Sequence, residues 1–82
     1  MSPNDLKLRN LLVEILLIEE EQYRDENGPD TIETWDSLAM VRIATGVEEA
    51  FDYSMTPEEM VSLDSIGDIK AILRSHDIAF DQ

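Results

Sequence analysis

The sequence predicts an all-α fold: a four-helix bundle with a long loop between helices 1 and 2 and a short third helix. Apolar residues recur at helical spacing in separate segments, and a capping residue stands where each helix would begin. No segment reads as a strand. With 82 residues the chain has room for one small domain, so we expect a single domain over residues 1–82.

The first helix is expected from about residue 3 to 20. Ser2 is a candidate N-cap, Pro3 occupies the first helical position, and Asp5 follows three residues after the cap. Apolar residues then recur on one face, at Leu8, Leu11, Leu12, Ile15 and Ile18. Residues 19–30 are acidic and have too few apolar side chains to form an element of their own. The loop that leads to the second helix is long for so small a domain, and such loops tend to be functional or mobile.

The second helix is predicted from Ser37 to about Phe51. Its apolar face carries Met40, Ile43, Val47 and Phe51. Its other side is a mixed polar surface, made by Arg42, Thr45, Glu48 and Glu49. This helix therefore has one face for the core and one for solvent or a partner.

Two further helices are predicted from capping boxes. Tyr53 and Met55 alternate in a short extended connection, and Thr56 with Glu59 then begins a short third helix that carries Met60 and Val61. The fourth helix is predicted to begin at Ser65, with Asp68 completing a second box. Its inward face consists of Ile66, Ile69, Ile72 and Leu73.

The chain is strongly acidic, with 19 acidic against 6 basic residues and a formal net charge of −13. No basic residue lies between Arg42 and Lys70. Such a surface repels phosphates and anionic headgroups, so we expect neither nucleic acid nor a membrane as partner. Protein partners with basic patches fit this charge better, although acidity for solubility alone is also consistent with it.

Two further features of the sequence indicate in which cellular compartment the protein is found. The absence of cysteine excludes disulfides and fits a reducing cytoplasm. The apolar segment after Lys7 and Arg9 is interrupted by Glu14, lacks a signal-peptide cleavage site and is too short to span a bilayer. We expect a soluble, cytoplasmic monomer.

Catalytic and metal-binding motifs are weak in this sequence. Neither Ser37 nor Ser65 has the flanking glycines of a hydrolase nucleophile, and His76 is expected to be a surface or helix-end residue. Residues 25–36 have the length and charge of a calcium loop, but the glycine and the proline are misplaced and the last residue is aspartate. The sequence therefore predicts no enzyme and no metal site, and loose calcium binding by this acidic run is left as an alternative.

Two serines have near-identical neighbours, in Asp36-Ser37-Leu38 and Asp64-Ser65-Ile66. Asp68 lies three residues after Ser65, so the two side chains can reciprocally bond the first helix amides, and Ser65 is predicted to be structural. Met40 stands in that position after Ser37 and cannot reciprocate. If Asp36 is the cap, the Ser37 hydroxyl is free, and a phosphoester there would meet unpaired amides and the positive end of the helix dipole. A simple N-cap role for Ser37 is the alternative.

Four ordered landmarks resemble an acyl carrier protein: Asp36-Ser37-Leu38 at a helix start, "VEEAF" closing that helix, the extended turn before "TPEEM", and "SIGDI" opening the last helix. The resemblance covers nearly the whole chain and implies a single acyl carrier domain. It implies that a separate phosphopantetheinyl transferase attaches a 4'-phosphopantetheine arm from coenzyme A to Ser37. The thiol of the arm would carry an acyl or aminoacyl group as a thioester. Asp36 would help the transferase to hold its magnesium.

The chain departs from the family pattern around this serine. Carriers of primary fatty acid synthesis usually have small residues, an acid and a glutamate where this chain has Thr34-Trp35, Ala39 and Arg42. Peptidyl carriers commonly have glycines and often histidine before the serine, which this chain lacks. These departures suggest a free-standing carrier in a dedicated or specialised biosynthetic pathway. Trp35 is expected either to pin the long loop to the bundle or to shield the arm or guide a partner.

The resemblance places the partner-binding surface along the second helix, at Leu38, Val41, Arg42, Thr45, Glu48 and Glu49. The implied partners are the transferase, an acyl-loading ligase or synthase, and acyl-using enzymes with basic patches. Partial burial of Leu38, Val41 and Thr45 against the loop is the alternative. The short third helix is predicted to move and to open room for an acyl chain. The competing function is an unmodified acidic helical interaction domain in which Ser37 is only a cap.

Overall fold

The computed structural model describes residues 2–80 and confirms the predicted all-α fold. Four α-helices follow one another within these residues: α1 (Pro3–Leu16), α2 (Ser37–Phe51), α3 (Pro57–Val61) and α4 (Ile66–Ser75). The long loop after α1 and the short third helix are both as predicted. The predicted domain over residues 1–82 also includes Met1, Asp81 and Gln82, which lie outside the described residues.

The first helix begins where predicted and ends earlier. The Ser2 hydroxyl accepts a hydrogen bond from the Asp5 amide at 3.1 Å, which confirms the N-cap. The prediction of a helix to about residue 20 was wrong, because Leu17 adopts a left-handed conformation with φ 56° and ends α1. Leu17 continues the apolar run in the sequence, but its side chain is 82% exposed.

The acidic segment after α1 contains a short element that the sequence did not indicate. A 3₁₀-helix covers Glu20–Gln22, and the Gln22 side chain accepts a hydrogen bond from the Glu19 amide at 2.9 Å. Polar side chains can hold such a turn without apolar burial, so the count of apolar residues was a poor guide. The prediction of no element in residues 19–30 was therefore wrong.

The core is built from one face each of α1, α2 and α4. Its fully buried side chains are Leu8, Leu12, Leu16, Ile43, Val47, Ile66, Ile69 and Leu73. Met40, Phe51 and Ile72, which the pattern also directs inward, are only partly buried at its edge. Gly46 lets α1 and α2 approach closely, since an added Cβ atom would lie 2.4 Å from Cδ1 of Leu11.

The long loop between α1 and α2, residues 17–36, is fixed to the N-terminus of α4. The Ile66 amide donates to the Asn27 carbonyl at 2.8 Å, and the Gly67 amide donates to the Asp25 carbonyl at 3.0 Å. Gly28 packs so tightly here that an added Cβ atom would lie 2.0 Å from the Asp64 carbonyl oxygen. The loop therefore satisfies two of the amides that a helix start leaves unpaired.

A charged cluster joins α1, the loop and α4. Asp5 accepts a hydrogen bond from the Tyr23 hydroxyl at 2.6 Å, and Lys70 Nζ lies 3.3 Å from the same carboxylate. Lys70 also pairs with Asp25 at 2.7 Å and lies 4.8 Å from the centre of the Tyr23 ring. Burial raises the pKa of Tyr23 far above its usual range, and its hydrogen bond to Asp5 raises it further. The cluster therefore holds the loop against α1 and α4.

Both predicted helix caps after α2 are present, one of them in altered form. Thr56 and Glu59 exchange hydrogen bonds at 3.1 and 3.0 Å, so the box before α3 is confirmed. Ser65 accepts from the Asp68 amide at 3.2 Å, as predicted. The Asp68 carboxylate accepts from the Asp64 amide at 2.9 Å rather than from the Ser65 amide, so the reciprocal half of this box was wrong. Aspartate is one methylene shorter than glutamate, and here it reaches the residue before the cap.

Candidate functional site

Ser37 is the first residue of α2, and its side chain is exposed. Asp36 is the N-cap: its Oδ1 accepts from the Ala39 amide at 2.9 Å, and its carbonyl accepts from the Met40 amide at 2.9 Å. The alternative in which Ser37 itself caps the helix is therefore wrong. Among residues 2–80, no group makes a hydrogen bond with the Ser37 hydroxyl.

The helix starts at Ser37 and at Ser65 differ in what covers their amides. At α4, loop carbonyls take the first two amides, and the Ser65 hydroxyl takes the third. At α2, the amides of Ser37 and Leu38 find no acceptor in the described part of the chain. An anionic group on the Ser37 hydroxyl would thus lie beside open amide donors and the positive end of a 15-residue helix.

A groove of about 450 Å³ opens beside Ser37. The loop and α2 supply one side of it and α3 the other, with the lining residues Trp35, Asp36, Ser37, Met40, Val41, Met60 and Val61. Its lining is mostly apolar, and the exposed Ser37 is part of it. The site therefore combines an exposed serine hydroxyl with a surface that an apolar group can contact.

Trp35 connects this groove to the core. The side chain is only 4% exposed, and its Nε1 donates to the Met40 sulfur at 3.4 Å. The expectation that Trp35 pins the loop to the bundle is confirmed, because the indole packs within the main core. A role of Trp35 toward an arm or a partner stays a prediction.

The predicted partner-binding residues share one exposed stretch of α2. Leu38 is 60% and Val41 56% exposed, and the other members, Arg42, Thr45, Glu48 and Glu49, are exposed as well. The alternative of partial burial against the loop is therefore wrong for all three residues it concerned, Leu38, Val41 and Thr45. The surface has an apolar start beside Ser37 and an acidic end at Glu48 and Glu49.

Two exposed apolar residues beside this surface were not predicted as site residues. Val61, 83% exposed, lines the groove from α3. Leu17 shares a notch of about 200 Å³ with Leu38 and Arg42. The brevity of α3 was the available signal for Val61, since so short a helix cannot bury every apolar side chain. No sequence signal indicated Leu17, because its exposure depends on the left-handed end of α1.

A polar cluster on the far side of α3 was also missed. The Tyr53 hydroxyl donates to Glu59 Oε1, His76 Nε2 lies 3.8 Å from Glu59 Oε2, and the Tyr53 and His76 ring centres are 4.2 Å apart. The hydrogen bond to Glu59 raises the pKa of Tyr53 to about 12, and it lowers the pKa of Glu59. His76 is the C-cap of α4, which confirms the helix-end prediction.

The acidic run at residues 25–36 is used for packing. Its Asp25 and Asn27 carbonyls bond α4, and the Asp25 carboxylate pairs with Lys70. In the described part of the chain, no group of three potential ligand side chains is placed to hold a metal ion. No helix within residues 2–80 has both the length and the apolar character needed to cross a membrane.

Comparison with known proteins supports the resemblance. The chain is 27% identical over 70 residues to a protein named acyl carrier protein from Coprothermobacter proteolyticus. The matched region covers 85% of this chain and 85% of that protein. No family model matches the chain.

Proposed function

We propose that the protein is an acyl carrier that holds an acyl or aminoacyl group as a thioester on a 4'-phosphopantetheine arm attached to Ser37, within one carrier domain formed by residues 1–82. One observation carries the proposal: the exposed Ser37 hydroxyl stands at an open helix N-terminus, whereas the matching start at Ser65 is occupied by the loop. The similarity to the acyl carrier protein of Coprothermobacter proteolyticus supports it.

The residues around Ser37 fit a phosphopantetheine group. The free amides of Ser37 and Leu38 can donate to phosphate oxygens, and the dipole of α2 favours negative charge there. Trp35, Met40 and Val41 offer an apolar surface beside the attachment point. When bound, the group supplies a thiol on which the acyl group is held. The protein itself performs no catalysis: it keeps the group close to successive enzymes and raises its effective concentration.

Asp36 is suited to two tasks at once. Its Oδ1 accepts the capping hydrogen bond from the Ala39 amide, while its other carboxylate oxygen makes no hydrogen bond within residues 2–80. A carboxylate oxygen that is free beside the attachment serine can face the magnesium of the transferase. The proposal therefore assigns Asp36 both the cap and the metal-assisting role.

The exposed face of α2 is the proposed docking surface for partner enzymes. Leu38 and Val41 supply an apolar part beside Ser37, Arg42 and Thr45 lie next along the helix, and Glu48 and Glu49 supply negative charge at the other end. Apolar centres with charged rims are common in interfaces, and complementary charge speeds association. The partners would be the transferase, an acyl-loading ligase or synthase of a dedicated pathway, and downstream acyl-using enzymes with basic patches.

Loading from coenzyme A tests this proposal. The protein is incubated with coenzyme A and a promiscuous phosphopantetheinyl transferase, and its intact mass is measured. The wild type should gain one arm, Ser37→Ala should gain none, and Ser65→Ala should load like the wild type. Ser65 is the matched control because it has the same aspartate before it and an aliphatic residue after it. An unmodified interaction domain would gain no mass in any version.

A further inference from the structure

The third helix is held in place with little help from the core. It covers five residues, none of them buried: Met60 is partly buried and Val61 is exposed. Met55 and Leu63, just outside the two ends, are buried and anchor the flanking chain. An isolated helix of this length is not stable in water, so the position of α3 depends on this anchored chain, on the packing of Met60 and on contacts of its own polar side chains.

Glu59 makes most of those contacts. One carboxylate oxygen, Oε1, accepts from the Tyr53 hydroxyl and from the Thr56 amide. The other oxygen lies 3.8 Å from His76 Nε2. The pKa of Glu59 is lowered, due first to the Tyr53 hydrogen bond, which agrees with stabilisation of the ionised carboxylate.

The partners of Glu59 belong to the rigid part of the molecule. His76 caps the C-terminus of α4, whose Ile66, Ile69 and Leu73 side chains are fully buried. Tyr53 follows α2 by two residues, and its ring lies against the His76 ring at 4.2 Å between centres. Glu59 therefore ties α3 to Tyr53 after the end of α2, and the Tyr53 ring in turn packs against His76 at the end of α4.

Met60 and Val61, the two residues after Glu59, form the α3 side of the groove beside Ser37. On the opposite side, Trp35 is packed into the core and bonded to Met40. A displacement of α3 therefore changes the width of the groove, while the opposite side of the groove stays in place.

We propose that Tyr53, Glu59 and His76 form a latch that holds α3 in place as one side of the groove, and that this latch determines how much of the group carried on Ser37 the groove covers. The second half of this inference rests on the proposed function; the first half does not. Tyr53, Glu59 and His76 are positioning residues, since they act on the groove through Met60 and Val61.

Hydrogen exchange of the unmodified protein tests the first half. Tyr53→Phe keeps the ring against His76 and removes only the hydroxyl that bonds Glu59. We expect exchange at the Met60 and Ser62 amides to rise roughly tenfold, because a hydrogen bond to a charged acceptor is lost. Amides in the middle of α1 and α4 should change less than about twofold, because the core is untouched.

Tyr23→Phe is the matched control, because it removes the equivalent hydroxyl-to-carboxylate bond at Asp5. It should not raise exchange in α3 more than in α1 and α4. A merely structural role of Tyr53 would speed exchange in all helices together. An increase at Met60 and Ser62 no larger than that in α4 would overturn the latch.

Loading with acyl groups of two lengths tests the second half. The transferase is given acetyl-coenzyme A or octanoyl-coenzyme A, and the emission of Trp35, the single tryptophan, is recorded. We expect the octanoyl form to shift the emission relative to the acetyl form, and Tyr53→Phe to reduce that shift by at least half. Tyr23→Phe should keep it.

The two halves fail in distinguishable ways. Equal shifts in the wild type and in Tyr53→Phe, or no shift in the wild type, overturn the role of the latch at the carried group. Failure of the wild type to load overturns the proposed function, and with it that role. The exchange result on the unmodified protein decides separately whether the latch holds α3.

Discussion

Replacing Gly28 with alanine should destabilise the protein by displacing the loop from α4. The new Cβ atom would lie 2.0 Å from the Asp64 carbonyl oxygen, whereas Cβ atoms in proteins essentially never come within 3.0 Å of another heavy atom. The Asp64 oxygen belongs to the backbone and the new Cβ is bonded directly to the backbone, so neither can turn away. The loop therefore has to move by about 1 Å or more to bring the distance from 2.0 Å to at least 3.0 Å. That movement stretches the Ile66 to Asn27 hydrogen bond, now 2.8 Å, beyond useful range.

The magnitude follows from three contributions. Overpacking costs about 1–3 kcal/mol, and each of the two loop-to-α4 hydrogen bonds contributes about 1 kcal/mol. Reduced freedom of the unfolded chain offsets about 0.4–1 kcal/mol, since Gly28 does not have a positive φ and alanine can adopt its conformation. We expect a net loss of about 2–5 kcal/mol, a large share of the roughly 4–12 kcal/mol typical for a chain of this length.

Urea unfolding followed by circular dichroism measures this change, and Gly67→Ala is the control. At Gly67 the added Cβ would meet Asp25 at 3.2 Å, which needs a shift of only a few tenths of an ångström. Alanine within α4 also gains about 0.8–1 kcal/mol of helix propensity, so this variant should be nearly neutral or more stable. A Gly28→Ala protein as stable as the wild type would refute the close packing of the loop on α4.

Three further predictions concern buried charge, pH and the cap of α2. Lys70→Met should lower the free energy of unfolding in urea by about 2–3 kcal/mol. The reason is that the Asp5 carboxylate, only about a tenth exposed, loses its ion pair and keeps only the hydrogen bond from the Tyr23 hydroxyl. A loss below about 0.5 kcal/mol would contradict this. Because the pKa of Tyr53 is raised from 10.0 to about 12, its stabilising contribution is complete below pH 10 and is lost as the pH rises to about 12. The stability difference between the wild type and Tyr53→Phe should shrink over that range, and a constant difference would contradict the assignment. Asp36→Ala should lose about 1 kcal/mol of stability and should gain the phosphopantetheine arm slowly. Asp36→Asn should keep its stability, because asparagine also caps helices, and should still gain the arm slowly. Normal loading of Asp36→Asn would exclude a metal-assisting role of Asp36.

Helix starts were predictable from the sequence because capping is local. Ser2, Asp36, Thr56 and Ser65 all act as N-caps, and each lies within three residues of the amide it bonds. The end of α1 was not predictable, since a left-handed leucine has no sequence signature and the apolar pattern continues through it. Fold class and element order therefore follow from local chemistry, while the end of α1 depends on packing.

The candidate site was predictable in part. The absence of an acid three residues after Ser37 separated it from Ser65, and the structure agrees that the two helix starts differ. The larger difference is that loop carbonyls accept hydrogen bonds from the first amides of α4. These bonds join residues about 40 positions apart, such as Asn27 and Ile66, and no local pattern in the sequence indicates such a pair. The contact of Tyr53 with His76 was missed for the same reason.

The proposal that Ser37 carries a phosphopantetheine arm is tested most directly by peptide mass analysis after incubation with coenzyme A and the transferase. Digestion that cleaves after Arg42 separates the two serines, because Arg42 lies between Ser37 and Ser65. We predict the added mass of the arm on the Ser37 peptide and an unchanged mass for the Ser65 peptide. An unmodified Ser37 peptide, or an arm on Ser65, would contradict the account.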